Sequence, residues 1–112
     1  MNTSNNKDCH FSFHYSINTM GDPNHLDESF IDIKISKIDF LHKNHVSFSR
    51  KISIGPFSVI EEAYEEGTIE NLIKLAIDKF MNPEESLKMV KCNLVEIIKN
   101  GLYKYIHDEG LI

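Results

Sequence analysis

The sequence carries five carboxylates and no basic residue between positions 61 and 70. They belong to Glu61, Glu62, Glu65, Glu66 and Glu70. The chain has 17 acidic and 12 basic residues, so without these five glutamates both signs would number 12, and the net charge of -5 is local. A local negative field attracts a basic partner and orients it on approach. The chemistry predicted for this stretch is recognition by charge.

Two details favour an interface over an ordinary solvated helix face. Glu61 and Glu65, like Glu62 and Glu66, are like-charge pairs at i, i+4, which slightly destabilise a helix unless a partner relieves the repulsion. Tyr64 lies among them, and tyrosine is enriched at interface anchors. We therefore predict a partner-binding site made of the five glutamates and Tyr64. The alternative of a solvated face stays open, because glutamate is a good helix former.

Four histidines form the second group that could do chemistry. His10 and His14 share one face of a predicted strand, and His42 and His45 lie in a predicted hairpin connection. Histidines brought together at one sheet end could bind a metal or act as an acid–base pair. However, no acidic or cysteine ligand recurs at a recognised metal spacing. We expect exposed histidines here, with no metal site and no catalytic residue.

Motifs that would indicate a cofactor are absent from the sequence. It has no glycine-rich phosphate loop, no nucleophile elbow, no zinc-protease helix motif and no EF-hand loop. Nucleic-acid binding is disfavoured, because Asp32 and Asp39 interrupt the basic residues of the hairpin and the net charge is negative. We expect a protein without cofactors that binds no nucleic acid and no membrane.

Three strands are predicted in the first half of the chain. Apolar residues alternate with polar ones from Phe11 to Ile17, again from Phe30 to Phe40, and again from Val46 to Ile54. The apolar phase of the second strand slips after Ser36, which predicts a bulge near Ser36 and Lys37. Short polar connections make the three strands an antiparallel meander. The face carrying His14, Asp32, Lys34, Ser47 and Lys51 is predicted to be turned to water or a partner.

The second half predicts three helices. The first follows Pro56 and ends at Gly67, and the second follows Thr68 with a strong apolar stripe from Ile69 to Phe80. The third begins at a cap in Asn82-Pro83-Glu84-Glu85 and continues through Asn100-Gly101, because the stripe keeps its phase from Leu94 to Ile106. Its apolar positions are Leu87, Val90, Leu94, Ile97, Ile98, Leu102, Tyr105 and Ile106.

The predicted fold class is α+β, with a three-stranded antiparallel meander followed by three helices packed on one face. A chain of 112 residues fits one domain, so we expect a disordered tail over residues 1–8 and a single α+β domain over residues 9–112. The sequence shows no signal-peptide pattern and no membrane span, which predicts a soluble, cytoplasmic protein. Cys9 and Cys92 are then expected to be reduced thiols, with Cys92 a small core residue.

The leading functional hypothesis is a small acidic inhibitor that occludes a basic protein partner. Bacterial immunity proteins that neutralise nuclease-type toxins work on this physical principle, and the analogy is one of class alone. No enzymatic activity is expected. Two alternatives stay open: a histidine-dependent hydrolase or nuclease using His14, His42 or His45, and a homodimeric regulatory module that pairs through its first strand or its last helix.

Overall fold

The computed structural model describes residues 10–18, 29–39 and 45–110 of the chain, and within residues 38–39 and 45–47 it describes the backbone alone. In these residues a three-stranded sheet comes first and is followed by helices. The α+β class is therefore confirmed. The predicted tail over residues 1–8, and also Cys9, His25, His42, Lys43 and Phe40, lie outside the described residues.

The sheet consists of β1 (Phe11–Asn18), β2 (Phe30–Asp39) and β3 (His45–Pro56) in the order β1-β2-β3. Both neighbouring pairs are antiparallel, as predicted for a meander. The register of β2 against β3 shifts between Lys37 and Ile38, which confirms the predicted bulge. A second shift between Ile31 and Asp32 was not predicted.

Four helices follow the sheet where three were predicted. They are α1 (Phe57–Glu66), α2 (Ile69–Phe80), α3 (Pro83–Lys91) and α4 (Leu94–Asp108). Gly67 ends α1 in the left-handed conformation with φ of 75°, as a C-terminal glycine should. Thr68 precedes α2, but its side chain donates and accepts no capping hydrogen bond.

The predicted third helix is divided into α3 and α4 at Asn93. Asn93 has φ of 54° and ψ of 37°, a left-handed conformation that asparagine adopts more easily than most residues and that interrupts a helix. The change of direction leaves Leu87 and Val90 58% and 66% exposed, and Met89 is buried instead. The prediction that Leu87 and Val90 belong to the apolar face is therefore wrong, and so is the same prediction for Ile97 of α4, which is 47% exposed.

The apolar core lies between the sheet and the helices. The buried residues of β2 and β3 are Ile31, Ile33, Ile35, Ile52 and Ile54, all on the face that the helices cover. The helices contribute Phe57, Ile60, Ala63, Ile69, Ile73, Ala76, Ile77, Met89, Leu94, Val95, Ile98, Leu102 and Ile106, with Met81 after α2. Within α4 the stripe passes without a break through Asn100-Gly101, as predicted.

Gly101 allows α4 to approach β1 closely. A Cβ atom at this position would collide with the hydroxyl group and ring of Tyr15. The Tyr15 hydroxyl donates a hydrogen bond to the Ile98 carbonyl oxygen at 3.1 Å, and its ring stacks on Tyr105 with centroids 5.7 Å apart. Burial raises the pKa of Tyr15 to about 12. The lack of a side chain at Gly101 therefore permits the close packing of α4 on Tyr15.

The start of α3 is fixed by a reciprocal pair of hydrogen bonds. The Asn82 side-chain oxygen accepts from the Glu85 N–H at 2.8 Å, and the Glu85 carboxylate accepts from the Asn82 N–H at 3.1 Å. Glu85 also pairs with Arg50 of β3, with nitrogen and oxygen 2.9 Å apart. This ion pair explains why a basic residue interrupts the apolar row of β3.

Two further sequence predictions are wrong. The prediction that Asp32 faces solvent is wrong, because its side chain is only 7% exposed and pairs with Lys51. His14, Lys34 and Lys51 are exposed as predicted. Cys92 is disulfide-bonded rather than a reduced thiol, and no cysteine in the described part of the chain is free.

Within residues 10–18, 29–39 and 45–110, no helix combines the length and the apolar character needed to cross a membrane.

Candidate functional site

The acidic face of α1 is built by a helix that docks through its opposite side. Phe57, Ile60 and Ala63 are buried against the sheet and α2, which fixes the orientation of the helix. The four glutamates of this helix, at positions 61, 62, 65 and 66, lie on its other side and are all exposed. We call Glu61, Glu62, Glu65 and Glu66 the acidic face. Among the described residues, none of the four forms an ion pair.

The position of the acidic face along α1 is unfavourable for the helix itself. The first turn of α1 has no acidic residue and the last turn has no basic one, whereas Glu65 and Glu66 lie in the last turn. The carboxyl end of a helix carries the negative end of its dipole, so carboxylates there are repelled by about 0.3–1 kcal/mol each. The two like-charge pairs at i, i+4 add to this cost. Helix stability therefore does not explain why these residues are glutamates.

Tyr64 connects the acidic face to α4. The residue is 41% exposed, and its ring contacts the Tyr103 ring edge to face, with centroids 5.3 Å apart. The contact holds the Tyr64 ring in one place beside the carboxylates, which lowers the entropy that an interface would have to remove. Tyr103 was not part of the predicted site. The available sequence signal was the spacing of Glu96, Lys99 and Tyr103, which places them on one side of a helix.

Glu70 differs from the other four glutamates because it is partly neutralised. Its carboxylate oxygens lie 3.6 Å from the Lys74 nitrogen and 3.7 Å from the Lys99 nitrogen. Lys99 also donates to Glu96 at 3.0 Å, and this hydrogen bond is the main reason that the pKa of Lys99 is raised, with the charges of Glu96 and Glu70 contributing. The structure thus joins Glu70 to a mixed-charge cluster of α2 and α4, next to the acidic face.

His14 and His45 do not come together, whereas His10, which directly precedes Phe11, lies towards the same end of the sheet as His45. His14 of β1 is exposed and lies opposite Lys34, whereas the backbone of His45 pairs with Asp39. Lys34 and Asp39 are five positions apart on β2, so the two histidine backbones are separated by roughly 17 Å along the sheet. The described residues contain no group of three or more His, Cys, Asp or Glu side chains that could hold a metal.

Comparisons with protein-family models, with curated proteins and with solved structures gave no match for this chain.

Proposed function

We propose that this protein is an inhibitor that binds a basic protein partner through the acidic face and Tyr64. The partner that fits this chemistry best is a nuclease-type toxin, which would make the chain a toxin-immunity protein. Nucleases bind the phosphates of their substrates through clustered cations. A rigid row of carboxylates competes with phosphate for the same cations and covers them.

The observation that carries the proposal is the combination of exposure and unfavourable placement on α1. The four carboxylates are exposed and unpaired within the described residues, and two of them, Glu65 and Glu66, lie at the end of the helix where they repel its dipole. A cationic partner would remove both the repulsion between them and the repulsion by the dipole. Binding would therefore recover free energy that the unbound protein loses.

Two kinds of residue would contribute differently to the complex. The acidic face would speed the encounter through long-range attraction, and this effect would weaken as salt increases. Tyr64, backed by Tyr103, would supply an aromatic contact at short range. Glu70 is also a predicted site residue. Because its carboxylate pairs with Lys74 and Lys99, it would contribute less negative charge to the interface than each of the other four glutamates.

The cytoplasm is the compartment we propose for a nuclease inhibitor, since nucleic acids are the substrates it would protect. The disulfide bond at Cys92 is the observation against that compartment, because structural disulfides are rare in reducing cytosol.

The test takes a basic nuclease domain as the partner, from a neighbouring gene if one encodes it, and measures both binding and nuclease inhibition. We expect the variant with glutamine at positions 61, 62, 65 and 66 to bind about 100-fold more weakly or worse. The affinity of the unmodified protein should fall as salt is raised.

A control variant, Glu84→Gln with Asp108→Asn and Glu109→Gln, removes exposed carboxylates elsewhere and should bind normally. An equal loss in the control would mean that net charge alone is recognised. Unchanged affinity in the four-glutamine variant, or an affinity indifferent to salt, would overturn the proposal.

A further inference from the structure

The sheet has two edge strands, β1 and β3, because β2 lies between them. Among the described residues, no backbone hydrogen bond from a helix or a turn reaches either of these strands. An edge strand presents a row of unpaired N–H and C=O groups, to which another strand can add. The two edges of this sheet differ in how they are protected against such addition.

β3 has the features with which proteins protect a sheet edge. Arg50 and Lys51 are charged, and Pro56 ends the strand. Both register shifts against β2 leave an extra residue in β3, at Ser47 and at Ile54. Charged side chains, prolines and bulges all hinder the addition of a further strand. β3 is therefore the protected edge.

β1 has none of these features. Its eight residues include no lysine, arginine, aspartate, glutamate, proline or glycine. Its register against β2 runs through all eight residues without a shift. The strand is also fixed in place, since the Tyr15 hydroxyl donates to the Ile98 carbonyl oxygen of α4. The β1 edge is therefore regular and preorganised for pairing.

The apolar side chains of β1 are only partly covered. They point to the helix side of the sheet and are all half-buried, and they are Phe11, Phe13, Tyr15 and Ile17. The residues of β2 opposite three of them are Ile31, Ile33 and Ile35, which have a strand on each side and are fully buried. A further strand beside β1 would remove apolar surface from water that the fold leaves accessible.

α4 forms a wall beside this edge. Gly101 of α4 faces Tyr15 of β1. Ile97 lies four residues before Gly101, on the same side of the helix, and is 47% exposed. Lys99 and Tyr103 lie on another side, where they contact α2 and α1. Ile97 and the half-buried row of β1 therefore form an open apolar groove between α4 and the edge of the sheet.

Lys104 gives this groove a positive charge. It lies three residues after Gly101, on the same side of α4, and is exposed. Asp108 is one turn further on, but Lys104 forms no ion pair with any residue that the structure describes. β1 has no carboxylate to neutralise it. The complementary ligand would be apolar along β1 and negative near Lys104.

We propose that this groove binds an extended segment of a partner protein, which adds to the sheet as a fourth strand beside β1. Main-chain hydrogen bonds to β1 would supply affinity. Apolar residues at every second position of the segment would pack on the half-buried row of β1 and on Ile97, and an acidic residue in the same row would pair with Lys104. The groove and the acidic face are different surfaces, so this proposal does not depend on the proposed inhibition.

The test is an NMR titration of the full chain, labelled with ¹⁵N, using the peptide acetyl-Thr-Val-Thr-Val-Thr-Glu-amide as the probe. Amide signals of β1 and of α4 around Ile97 should shift in a saturable way. Two further peptides are N-methylated, one at the valines and one at the threonines. A strand directs only one of these two sets of N–H groups to a given neighbour, so one version should bind at least about tenfold more weakly than the other.

Two substitutions in α4 test the side-chain contacts. Ile97→Ser should weaken binding about tenfold, whereas Leu87→Ser removes an equally exposed apolar side chain from α3 and should have no effect. Lys104→Gln should weaken binding of the glutamate peptide several-fold and leave a peptide with glutamine in its place unchanged. Lys88→Gln in α3 is the control for charge. Thermal unfolding verifies that each variant is folded.

Four results would overturn the proposal. They are the absence of saturable shifts, shifts that map away from β1 and α4, equal binding of both N-methylated peptides, and equal losses in Ile97→Ser and Leu87→Ser. If Ile97→Ser does not fold, Lys104→Gln decides the question, because unchanged affinity for the glutamate peptide contradicts the pairing. Sedimentation without peptide adds one more outcome, since a dimer that pairs through β1 would make a second copy the occupant of the groove.

Discussion

Helices α1 and α3 have nearly the same length and opposite orders of charge. In α3, Glu84 and Glu85 occupy the first turn and Lys88 and Lys91 the last, so every charge agrees with the helix dipole. In α1 the first turn has no acidic residue and the last turn has no basic one. The charges of α3 stabilise their helix, whereas those of α1 oppose theirs and must be held in place by something else.

The packing of α1 stabilises this helix, whereas its charges do not. The N-cap of α1, Pro56, makes no side-chain hydrogen bond, whereas Asn82 and Glu85 form a full capping box at α3. The buried side of α1 must therefore supply most of the free energy that keeps it helical. Because the buried side stabilises the helix, the residues on the exposed side of α1 are free to serve in binding.

The largest expected effect tests whether packing alone holds α1. Ile60 is completely buried, so Ile60→Ala should lower the free energy of unfolding by about 2–5 kcal/mol. Val59→Ala is the control in the same helix, because Val59 is 42% exposed and its truncation should cost under about 1 kcal/mol. Urea unfolding measures both. Similar losses in the two variants would mean that α1 is not held through this side.

A smaller effect is expected from the cap of α3. Asn82→Ala removes the acceptor for the Glu85 N–H and should lower the free energy of unfolding by about 1 kcal/mol. Thr68→Ala removes the residue at the same position of α2, where no side-chain bond is made, and should change stability by no more than about 0.5 kcal/mol. If thermal unfolding gave equal losses of stability for Asn82→Ala and Thr68→Ala, the capping box would not stabilise α3 more than α2 is stabilised by Thr68.

The smallest effect concerns the charge order itself. Glu65→Lys with Glu66→Lys should stabilise the protein by about 0.5–1 kcal/mol, since each lysine then favours the dipole and lies four residues after a glutamate. Lys88→Glu with Lys91→Glu in α3 should destabilise it by a similar amount. Both differences should shrink at high salt in urea unfolding. If the two double variants changed the free energy of unfolding in the same direction, the charge orders of α1 and α3 would not differ in their effect on stability.

The local signals of the sequence predicted most of the fold. Alternation and stripes indicated β1, β2 and β3, the bulge after Lys37 and the passage of α4 through Gly101. The break at Asn93 was missed, because Leu87, Val90 and Leu94 keep a helical spacing and no proline or glycine marks the position. Asparagine can end a helix without either.

The candidate site was predicted in its local part only. Exposure of the acidic face follows from the helical spacing around Phe57, Ile60 and Ala63. The contacts of Tyr64 with Tyr103 and of Glu70 with Lys99 join residues far apart in the sequence, so they depend on how α4 packs. Burial of Asp32 was missed for the same reason, since alternation alone assigns it to the outer face of the sheet.

The continuity of α4 through Asn100-Gly101 also bears on chemical ageing. An asparagine followed by glycine loses ammonia readily in a flexible chain, because the glycine nitrogen reaches the side-chain amide with no Cβ in its way. Inside α4 that nitrogen is held in the helical hydrogen-bond ladder. Deamidation of Asn100 should then require opening of the helix. Its rate, measured by mass spectrometry, should therefore report the fraction of molecules in which α4 is open around Gly101.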